Sequence, residues 1–531
     1  MTDCAFTAPH ATASEIGLSV LKQGGTAIEA MVAAAASISV LYPHMSGLGG
    51  DGFWLIHEPG KKPVAINASG RSAGQATLEW FQHQGFSAIP SRGPLACVDS
   101  AGVVEGWQKA LQYSSNWQAP IDLQTLLTPA AQLAKDGITV TQSLQNASEL
   151  TASALHEQPG FAEYFLPDGT TLKTGQRLYN PALSDLFLHL AKVGLDDFYR
   201  GQTAQVIADG FKRADALLNT DDLAGYHAEW VEPLSVQTSQ GTFYNLPLPT
   251  QGIASLLIAA IMDEQFQGRS IAKMSEAEQL HCIIEATKQA FMIRDRLVCD
   301  PRYNDEAIDP YLSASMIHQL SSRIDPRQAL AWPQLAHKGD TVWMGCCDSE
   351  GRMVSYIQSL YWEFGSGVVL PELGVIWNNR GVSFSLEPGA KNQLRPNCQP
   401  FHTLNPAFAS LNDGRNMVYG TMGGEGQPQT QAAILWRYLY QQQPLDKAIA
   451  APRWLLGRTW GESAHDLKLE QDIADTTCQQ LQSLGHVIRH VPACNELMGH
   501  AGAIVLKQQK ILAAASDPRS DGKACVFSDF I

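Results

Sequence analysis

The chain has 531 residues, a formal net charge of −15, 45% apolar residues and 17% charged residues. This composition is typical of a globular protein, and the length suggests more than one folding unit. The negative charge argues against nucleic acid or an anionic membrane as a partner, because both require a cationic surface. Ten cysteines without a C-x-x-C pair favour reduced thiols in a cytoplasmic protein over a disulfide framework or a zinc site.

The first predicted elements are two helices, residues 14–23 and 26–41. The second is the most apolar window of the chain but is too short to span a bilayer, and no secretory signal precedes it, so we expect a buried helix. Residues 47–52 match G-x-G-x-x-G. A strand predicted over residues 53–56 excludes a dinucleotide site, which needs a helix there. The glycines instead predict close backbone packing.

Residues 63–67 predict a strand, and Arg71 follows it after a short turn. Residues 95–330 are predicted to be mainly helical, with a long periodic helix over residues 276–296. Residues 331–340 are irregular in pattern and predict a mobile tail.

A β-hairpin is predicted around residues 341–359, because two β-prone runs flank the turn sequence Asp-Ser-Glu-Gly. If residues 349–351 form the loop, Asp348 faces Arg352 and Thr341 lies opposite Ser359, within about one residue.

Thr341 has the residue type and the position of a nucleophile that a chain cleavage would activate. A threonine hydroxyl needs an adjacent base, and the α-amine of a new N-terminus, with a pKa near ~8, can be that base. Such activation requires cleavage between Asp340 and Thr341. On these residues alone, a solvated hairpin that begins with threonine is the simpler alternative.

Motifs spread in order over nearly the whole chain resemble the γ-glutamyltransferase family. They lie at residues 13–18, 24–30, 43–53, 341–367, 378–379, 420–424, 451–453 and 515–519. The resemblance implies an N-terminal-nucleophile (Ntn) hydrolase with an α+β fold, a four-layer αββα sandwich built from both halves of a self-cleaved precursor. The large subunit would be residues 1–340 and the small subunit residues 341–531, and the two would remain associated in one body.

The resemblance also implies roles for individual residues. Thr341 would be the nucleophile and, after cleavage, supply the base, while Ser359 would orient it. Gly423 and Gly424 would donate the hydrogen bonds of the oxyanion hole. Arg71 would grip the carboxylate of the substrate. This chemistry needs no metal and no organic cofactor, and no metal-ligand motif such as H-E-x-x-H occurs.

Several pocket positions depart from the family pattern. Members that act on γ-glutamyl groups hold the substrate amine and carboxylate with a neutral and an acidic side chain, at the two places where this chain has Arg380 and Ser383. Tyr361, His402 and Thr403 replace other expected pocket residues. These departures resemble the oxamate amidohydrolase branch and predict a small anionic amide as substrate, oxamate, hydrolysed to oxalate and ammonia in purine nitrogen catabolism.

Other functions remain open at this point. The same chemistry on a γ-glutamyl substrate such as glutathione is one alternative, and a glutaryl-type acylase is another. An inactive homologue that binds a carboxylate without turnover is a third, which the presence of Thr341 and of the glycine pair argues against. The sequence is compatible with a homo-oligomer but does not determine the oligomeric state.

Overall fold

The structure, a computed structural model, describes residues 3–332, 340–457 and 466–528. Two antiparallel sheets form its centre. The first sheet has the strand order Lys523–Phe527, Cys4–Ala8, Asp340–Cys347, Met353–Tyr361, Asp51–His57, Val64–Ala68 and Glu229–Val231. The second has the order Lys510–Ser516, Ala501–Lys507, Arg415–Thr421, Ala407–Leu411, Gly241–Asn245 and Leu234–Gln237.

The two sheets pack face to face through an apolar layer. It contains Phe53, Leu55, Trp343 and Ile357 from the first sheet and Phe408, Val418 and Ile504 from the second. Shorter strands lie outside the two sheets, at Ile138–Thr139, Arg177–Leu178, Val369–Leu370, Val375–Ile376, Trp454–Leu456, Leu467–Glu470 and Ile488–Val491.

Helices cover the outer face of each sheet and complete an αββα arrangement. One apolar core joins the first sheet to helices Ala11–Lys22, Ala27–Leu41, Leu78–His83, Val103–Ser114, Leu123–Asp136, Gln142–Leu155, Phe161–Phe165, Pro181–Val193, Asp197–Arg200, Gln202–Arg213 and Thr220–Ala224. A second core joins the other sheet to helices Gly252–Phe266, Glu276–Leu297, Ala314–Ser321, Gln427–Leu435, Leu445–Ala450 and Asp475–Ser483. Within the described ranges, no helix is long and apolar enough to cross a membrane.

The helices predicted at the N-terminus are confirmed. Helix Ala27–Leu41 is buried along its whole length. It begins with a capping box, in which the Thr26 side chain accepts the Glu29 N–H and the Glu29 carboxylate accepts the Thr26 N–H. A strand, and not a helix, follows the glycine run, as predicted.

The prediction of a mainly helical segment over residues 95–330 is wrong between residues 229 and 245. Strand Glu229–Val231 forms an edge of the first sheet, and strands Leu234–Gln237 and Gly241–Asn245 form a hairpin in the second. The last of these strands alternates between buried and half-buried residues, which is the period of a strand with one face in the core.

The predicted hairpin forms with the expected register up to its last pairs. Strand residues 342–347 pair with residues 353–358, and the Asp348 N–H donates to the Arg352 carbonyl. Tyr361 then pairs with Asp340, so that Ser359 and Leu360 both lie opposite Thr341. This extra residue is a β-bulge, which re-aims side chains and often lies beside functional sites. Most of the predicted tail, residues 333–339, lies outside the described residues.

The glycines at positions 49 and 50 allow the close packing that the sequence predicted. A Cβ on Gly50 would lie 2.2 Å from the Ser359 carbonyl oxygen, and one on Gly49 would lie 2.3 Å from the Ile376 carbonyl oxygen. Both distances are far inside van der Waals contact. The glycines therefore let this loop pack directly against the bulge.

Candidate active site

Three polar side chains form a row across the first sheet. Ser359 pairs with Asp51 on one side and lies opposite Thr341 on the other. Directly opposed residues of antiparallel strands share a face, and this face also carries the apolar residues that meet the second sheet. All three are buried, at 0% exposure for Thr341 and 1% for Ser359 and Asp51. The row thus closes one end of the inter-sheet core.

The second sheet brings the turn with Gly423 and Gly424 to the same end. Strand Arg415–Thr421 leads into this turn and packs on Trp343 of the first sheet. The contact is so close that a Cβ on Gly420 would lie 2.3 Å from the Trp343 ring. The far end of the second sheet packs on the hairpin loop. The glycine turn therefore extends toward the Thr341 end of its strand.

The glycine turn needs left-handed backbone and is held by a buried polar network. Gly423 has φ +118° and Gly424 has φ +51°, which only glycine adopts readily. Gln251 Nε2 donates to the Gly424 carbonyl (2.9 Å) and to the Thr403 carbonyl (2.8 Å). Arg294 donates to Gln251 Oε1 (3.3 Å) and to Glu425 Oε2 (2.8 Å). The network ties the two loops that face the row to helix Glu276–Leu297.

Arg380 is the most unusual charged group at this end of the sheets. It is 1% exposed, and none of its three guanidinium nitrogens has a hydrogen-bond partner among the described residues. The guanidinium stacks on the Tyr361 ring, 3.6 Å from the ring centre. The Asn378 side chain accepts the Arg380 N–H (2.9 Å) and fixes its backbone. A buried cation with unused donors requires an anion or water as partner.

Two buried carboxyl groups and an imidazole surround this cation. Burial raises the pKa of Asp51 to about 7, although Arg380 and the N–H groups of Gly70 and Gly102 oppose the rise. Burial and the neighbouring Asp51 raise the pKa of Asp99 well above its usual range, against the effect of Arg380. Burial and Arg380 hold the pKa of His402 well below its usual range, so its ring is neutral.

These two carboxyl groups are functional candidates that the sequence reasoning missed. Asp51 Oδ1 accepts the Gly70 N–H (2.6 Å), and Asp51 Oδ2 lies 3.4 Å from His402 Nε2. Neither oxygen of Asp99 has a hydrogen-bond partner in the described part of the chain. An acidic residue inside the glycine run was a visible signal for Asp51, but Asp99 had no motif.

Arg71, predicted as a carboxylate ligand, is placed differently from Arg380. Its guanidinium donates to Glu229 (2.7 Å) and to the Asn397 carbonyl (3.3 Å), and lies 3.7 Å from Asp300. Its side chain is 16% exposed. The backbone before it borders Asp51 through the Gly70 N–H, so Arg71 lies at the rim of the site with its charge already paired.

The remaining predicted pocket residues lie around Arg380 or on the facing loop. Tyr361 has φ +85°, a strained value for a non-glycine residue, and its N–H donates to Ser359 Oγ (2.7 Å). Ser383 closes the short 3₁₀ turn that begins at Arg380. The Ser383 side chain lies beside Tyr361, and the hydroxyl group of Thr403 is buried without a hydrogen-bond partner among the described residues. Unused polar atoms thus accumulate where a polar ligand would bind.

A separate cluster of side chains that could bind a metal makes hydrogen bonds within the protein instead. The ligand atoms of His281, Glu285 and His486 lie within 4.8 Å of one another. His281 Nδ1 lies 2.9 Å from His486 Nε2, and His281 Nε2 lies 2.8 Å from the Asp325 carbonyl. Glu285 Oε1 accepts from Lys288 (2.6 Å). These contacts connect the end of the predicted large subunit to a loop of the predicted small one.

Comparisons with known proteins agree with this architecture. The sequence profile of the family described as Gamma-glutamyltranspeptidase matches residues 13–527. The chain is 48% identical over 518 residues to the oxamate amidohydrolase proenzyme of Klebsiella pneumoniae subsp. pneumoniae, covering 97% of each. It is 36% identical over 519 residues to the glutathione hydrolase-like YwrD proenzyme of Bacillus subtilis, again covering 97% of each.

A solved structure supports the same assignment. The cephalosporin acylase from Bacillus halodurans matches with a TM-score of 0.90 and 28% sequence identity, covering 100% of this chain and 96% of that one. The expected α+β Ntn-hydrolase fold is confirmed. The chain belongs to the gamma-glutamyltranspeptidase family and is an Ntn-type amidohydrolase.

Proposed function

We propose that this chain is a self-processing amidohydrolase that converts oxamate to oxalate and ammonia. The observation that carries the proposal is Arg380, a buried guanidinium whose donors have no hydrogen-bond partner among the described residues. A relative named oxamate amidohydrolase proenzyme, 48% identical over 97% of both chains, supports the same substrate.

Arg380 suits a substrate that carries a carboxylate next to its amide. A guanidinium binds a carboxylate through two parallel charge-assisted hydrogen bonds, and burial strengthens both. Burial also raises the pKa of Asp99, which favours its neutral form and lessens its repulsion of an anion. Arg71 would contact the substrate carboxylate from the rim of the site, after it releases its ion pair with the exposed Glu229.

Activation requires that the chain cleave itself between Asp340 and Thr341. Residues 1–340 and 341–531 would then form the large and small subunits, and their strands would remain side by side in one sheet. Strand Asp340–Cys347 lies between Cys4–Ala8 of the large part and Met353–Tyr361 of the small part. Separation would expose the backbone of a central strand, so we expect the subunits to stay associated.

The proposed chemistry uses the row across the sheet and the facing loops. Thr341 Oγ attacks the amide carbon while the α-amine takes the hydroxyl proton. The N–H groups of Gly423 and Gly424 stabilise the oxyanion, and Ser359 orients the nucleophile. The amide C–N bond then breaks, and ammonia leaves with the proton from the α-amine. Water attacks the resulting ester in the same way and releases oxalate.

Hydrolysis of a γ-glutamyl substrate is the second candidate. It is favoured by one observation, the Asp99 carboxyl group with two unpartnered oxygens in the described structure, which could pair with a substrate ammonium. A glutaryl-type acylase shares the need for a carboxylate ligand. An ammonium beside Arg380 is repelled, which ranks oxamate first.

We also propose a cytoplasmic location and a role in purine nitrogen catabolism. The free thiols include one exposed cysteine, Cys494, and eight buried ones, Cys97, Cys282, Cys299, Cys346, Cys347, Cys398, Cys478 and Cys525. Free thiols persist in a reducing compartment.

Comparison of oxamate with oxamide tests the substrate. Oxamide is a neutral isostere in which a second amide replaces the carboxylate. We expect kcat/KM for oxamate to exceed that for oxamide by about 100-fold, as two charge-assisted hydrogen bonds predict. Equal rates on the two compounds would contradict the carboxylate role of Arg380. Release of the aniline from a γ-glutamyl anilide without turnover of oxamate would favour the second candidate.

A further inference from the structure

Asn379, the residue before Arg380, makes hydrogen bonds to two other segments of the chain. Its N–H donates to the Leu360 carbonyl (3.2 Å), and its Oδ1 accepts the Trp362 N–H (3.1 Å). Its Nδ2 donates to the Ser91 carbonyl (2.9 Å). The residue is 0% exposed. Because one end of the amide accepts and the other donates, these partners fix the side chain in a single orientation.

The bonds from Asn379 hold the two peptide groups on either side of Tyr361. The Leu360 carbonyl belongs to the peptide group before Tyr361, and the Trp362 N–H belongs to the one after it. Tyr361 has φ +85°, a costly backbone conformation for a tyrosine that persists only where its surroundings hold it. Asn379 therefore stabilises the bulge that lies opposite Thr341.

The first of these peptide groups also reaches Ser359. Its carbonyl accepts the Asn379 N–H, and its own N–H, that of Tyr361, donates to Ser359 Oγ (2.7 Å). Hydrogen bonds arranged in such a chain polarise and strengthen one another. Asn379 is therefore connected through a single peptide group to the hydroxyl that lies opposite Thr341.

Asn379 also anchors the turn that carries Arg380. The Asn379 carbonyl accepts the Val382 N–H (3.2 Å) and begins the 3₁₀ turn Arg380–Ser383. The Arg380 guanidinium stacks on the Tyr361 ring, 3.6 Å from its centre. The cation is thus connected to the bulge twice, by the ring contact and by the hydrogen bonds of Asn379.

We propose that Asn379 is a positioning residue that couples the anion-binding Arg380 to the Ser359 hydroxyl and, through it, to Thr341. The inference rests on the proposed function and adds a residue to the same site. Asn379 would set the spacing between the carboxylate of the substrate and the nucleophile. A carboxylate bound at Arg380 would in turn restrain the peptide groups around Tyr361.

A matched pair of asparagine variants tests the proposal. Asn379→Ala removes the bonds to Trp362 and Ser91 and keeps the backbone bonds. We expect kcat for oxamate, expressed per cleaved chain, to fall about 10- to 100-fold, because small displacements of reacting groups are costly. The preference for oxamate over oxamide should fall at least about fivefold.

Asn180→Ala is the control. The Asn180 amide likewise accepts an N–H, that of Leu183, and donates to a carbonyl, that of Gly374. The control should lose stability and retain both kcat and the preference. An Asn379→Ala protein that also retains both would overturn the proposal.

A double-mutant cycle tests whether Asn379 acts through Arg380. In an Arg380→Gln background, Asn379→Ala should no longer change the preference for oxamate over oxamide. Additive losses of preference would show two independent effects and overturn the coupling.

A measurement on the wild type needs no variant and no turnover. Amide hydrogen exchange is followed by mass spectrometry with and without oxalate, the anion used as probe. We expect oxalate to slow exchange at least about fivefold in a peptide that contains Tyr361 and Trp362, and to leave a peptide around Leu183 unchanged. Oxalate binding without this slowing would overturn the coupling. A wild type that shows the slowing but does not hydrolyse oxamate, or that does not bind oxalate, would instead contradict the proposed function.

Discussion

Replacement of Arg380 by glutamine should separate a substrate ligand from a structural cation. The size of the expected loss follows from the hydrogen bonds that the Arg380 guanidinium could donate. A bound carboxylate would receive two charge-assisted hydrogen bonds of about 1.5–3 kcal/mol each, and glutamine can restore one neutral bond of about 1 kcal/mol. The net loss is about 2–5 kcal/mol, which corresponds to a fall in kcat/KM of about 30- to 5,000-fold.

The stability of the same variant gives a second, opposite signature. Arg380 is a buried charge without hydrogen-bond partners among the described residues, so its removal also removes a desolvation cost. We therefore expect the Tm of Arg380→Gln to be equal to or higher than that of the wild type. An arginine that held the fold together would lower the Tm and reduce activity on every substrate.

The assay is steady-state release of ammonia from oxamate and from oxamide, with thermal unfolding measured in parallel. The loss should be confined to oxamate, because oxamide has no carboxylate to bind. Arg213→Gln is the control, since Arg213 is a surface residue with a side chain that is 56% exposed. An oxamate kcat/KM within threefold of wild type would refute the reasoning and remove Arg380 from the site.

Three further variants probe the surroundings of Arg380. Arg71→Gln should lower kcat/KM for oxamate only about fivefold, because Arg71 must give up its ion pair with the exposed Glu229 before it can bind the substrate. A larger loss than for Arg380→Gln would reverse the assigned roles of the two arginines. Gln251→Met should lower kcat about 10- to 100-fold with little change in KM, because the hydrogen bond from Gln251 that holds the Gly424 carbonyl is lost. An unchanged kcat would contradict this positioning role. The Asp51 carboxyl, whose pKa burial raises to about 7, stabilises the fold below pH 4 and loses that contribution as pH rises through 7. Calorimetry should therefore show that Asp51→Asn gains roughly 3 kcal/mol relative to wild type between pH 5 and pH 8, and a constant difference would disprove the raised pKa.

The hairpin was predictable because its information is local. Strand alternation and the Asp-Ser-Glu-Gly turn determine which residues face each other, and residues 342–347 pair as predicted. The bulge at Ser359 and Leu360 was not predictable, because it depends on distant partners. The Met45 carbonyl takes the Leu360 N–H, and the Gly49–Gly50 loop packs beneath.

The pocket residues show the same division. Arg380 was identified by its departure from a family pattern, and its burial gives that departure a physical meaning. Arg71 was identified by its match to the family pattern, but its partner Glu229 is 158 residues away and on a strand that the sequence reading missed. Asp99 carries no motif, and its position beside Asp51 and Arg380 arises only from the tertiary fold.

The most direct test of the central claim is ammonia release from oxamate by wild type and Thr341→Ala, with the chains of each protein measured by mass spectrometry. The account predicts that the wild type separates into residues 1–340 and 341–531 and turns over oxamate. Thr341→Ala should remain one chain of 531 residues, fold with the same Tm and release no ammonia. A Thr341→Ala protein that is processed and active would contradict the account, and so would a wild type that is active as an intact chain.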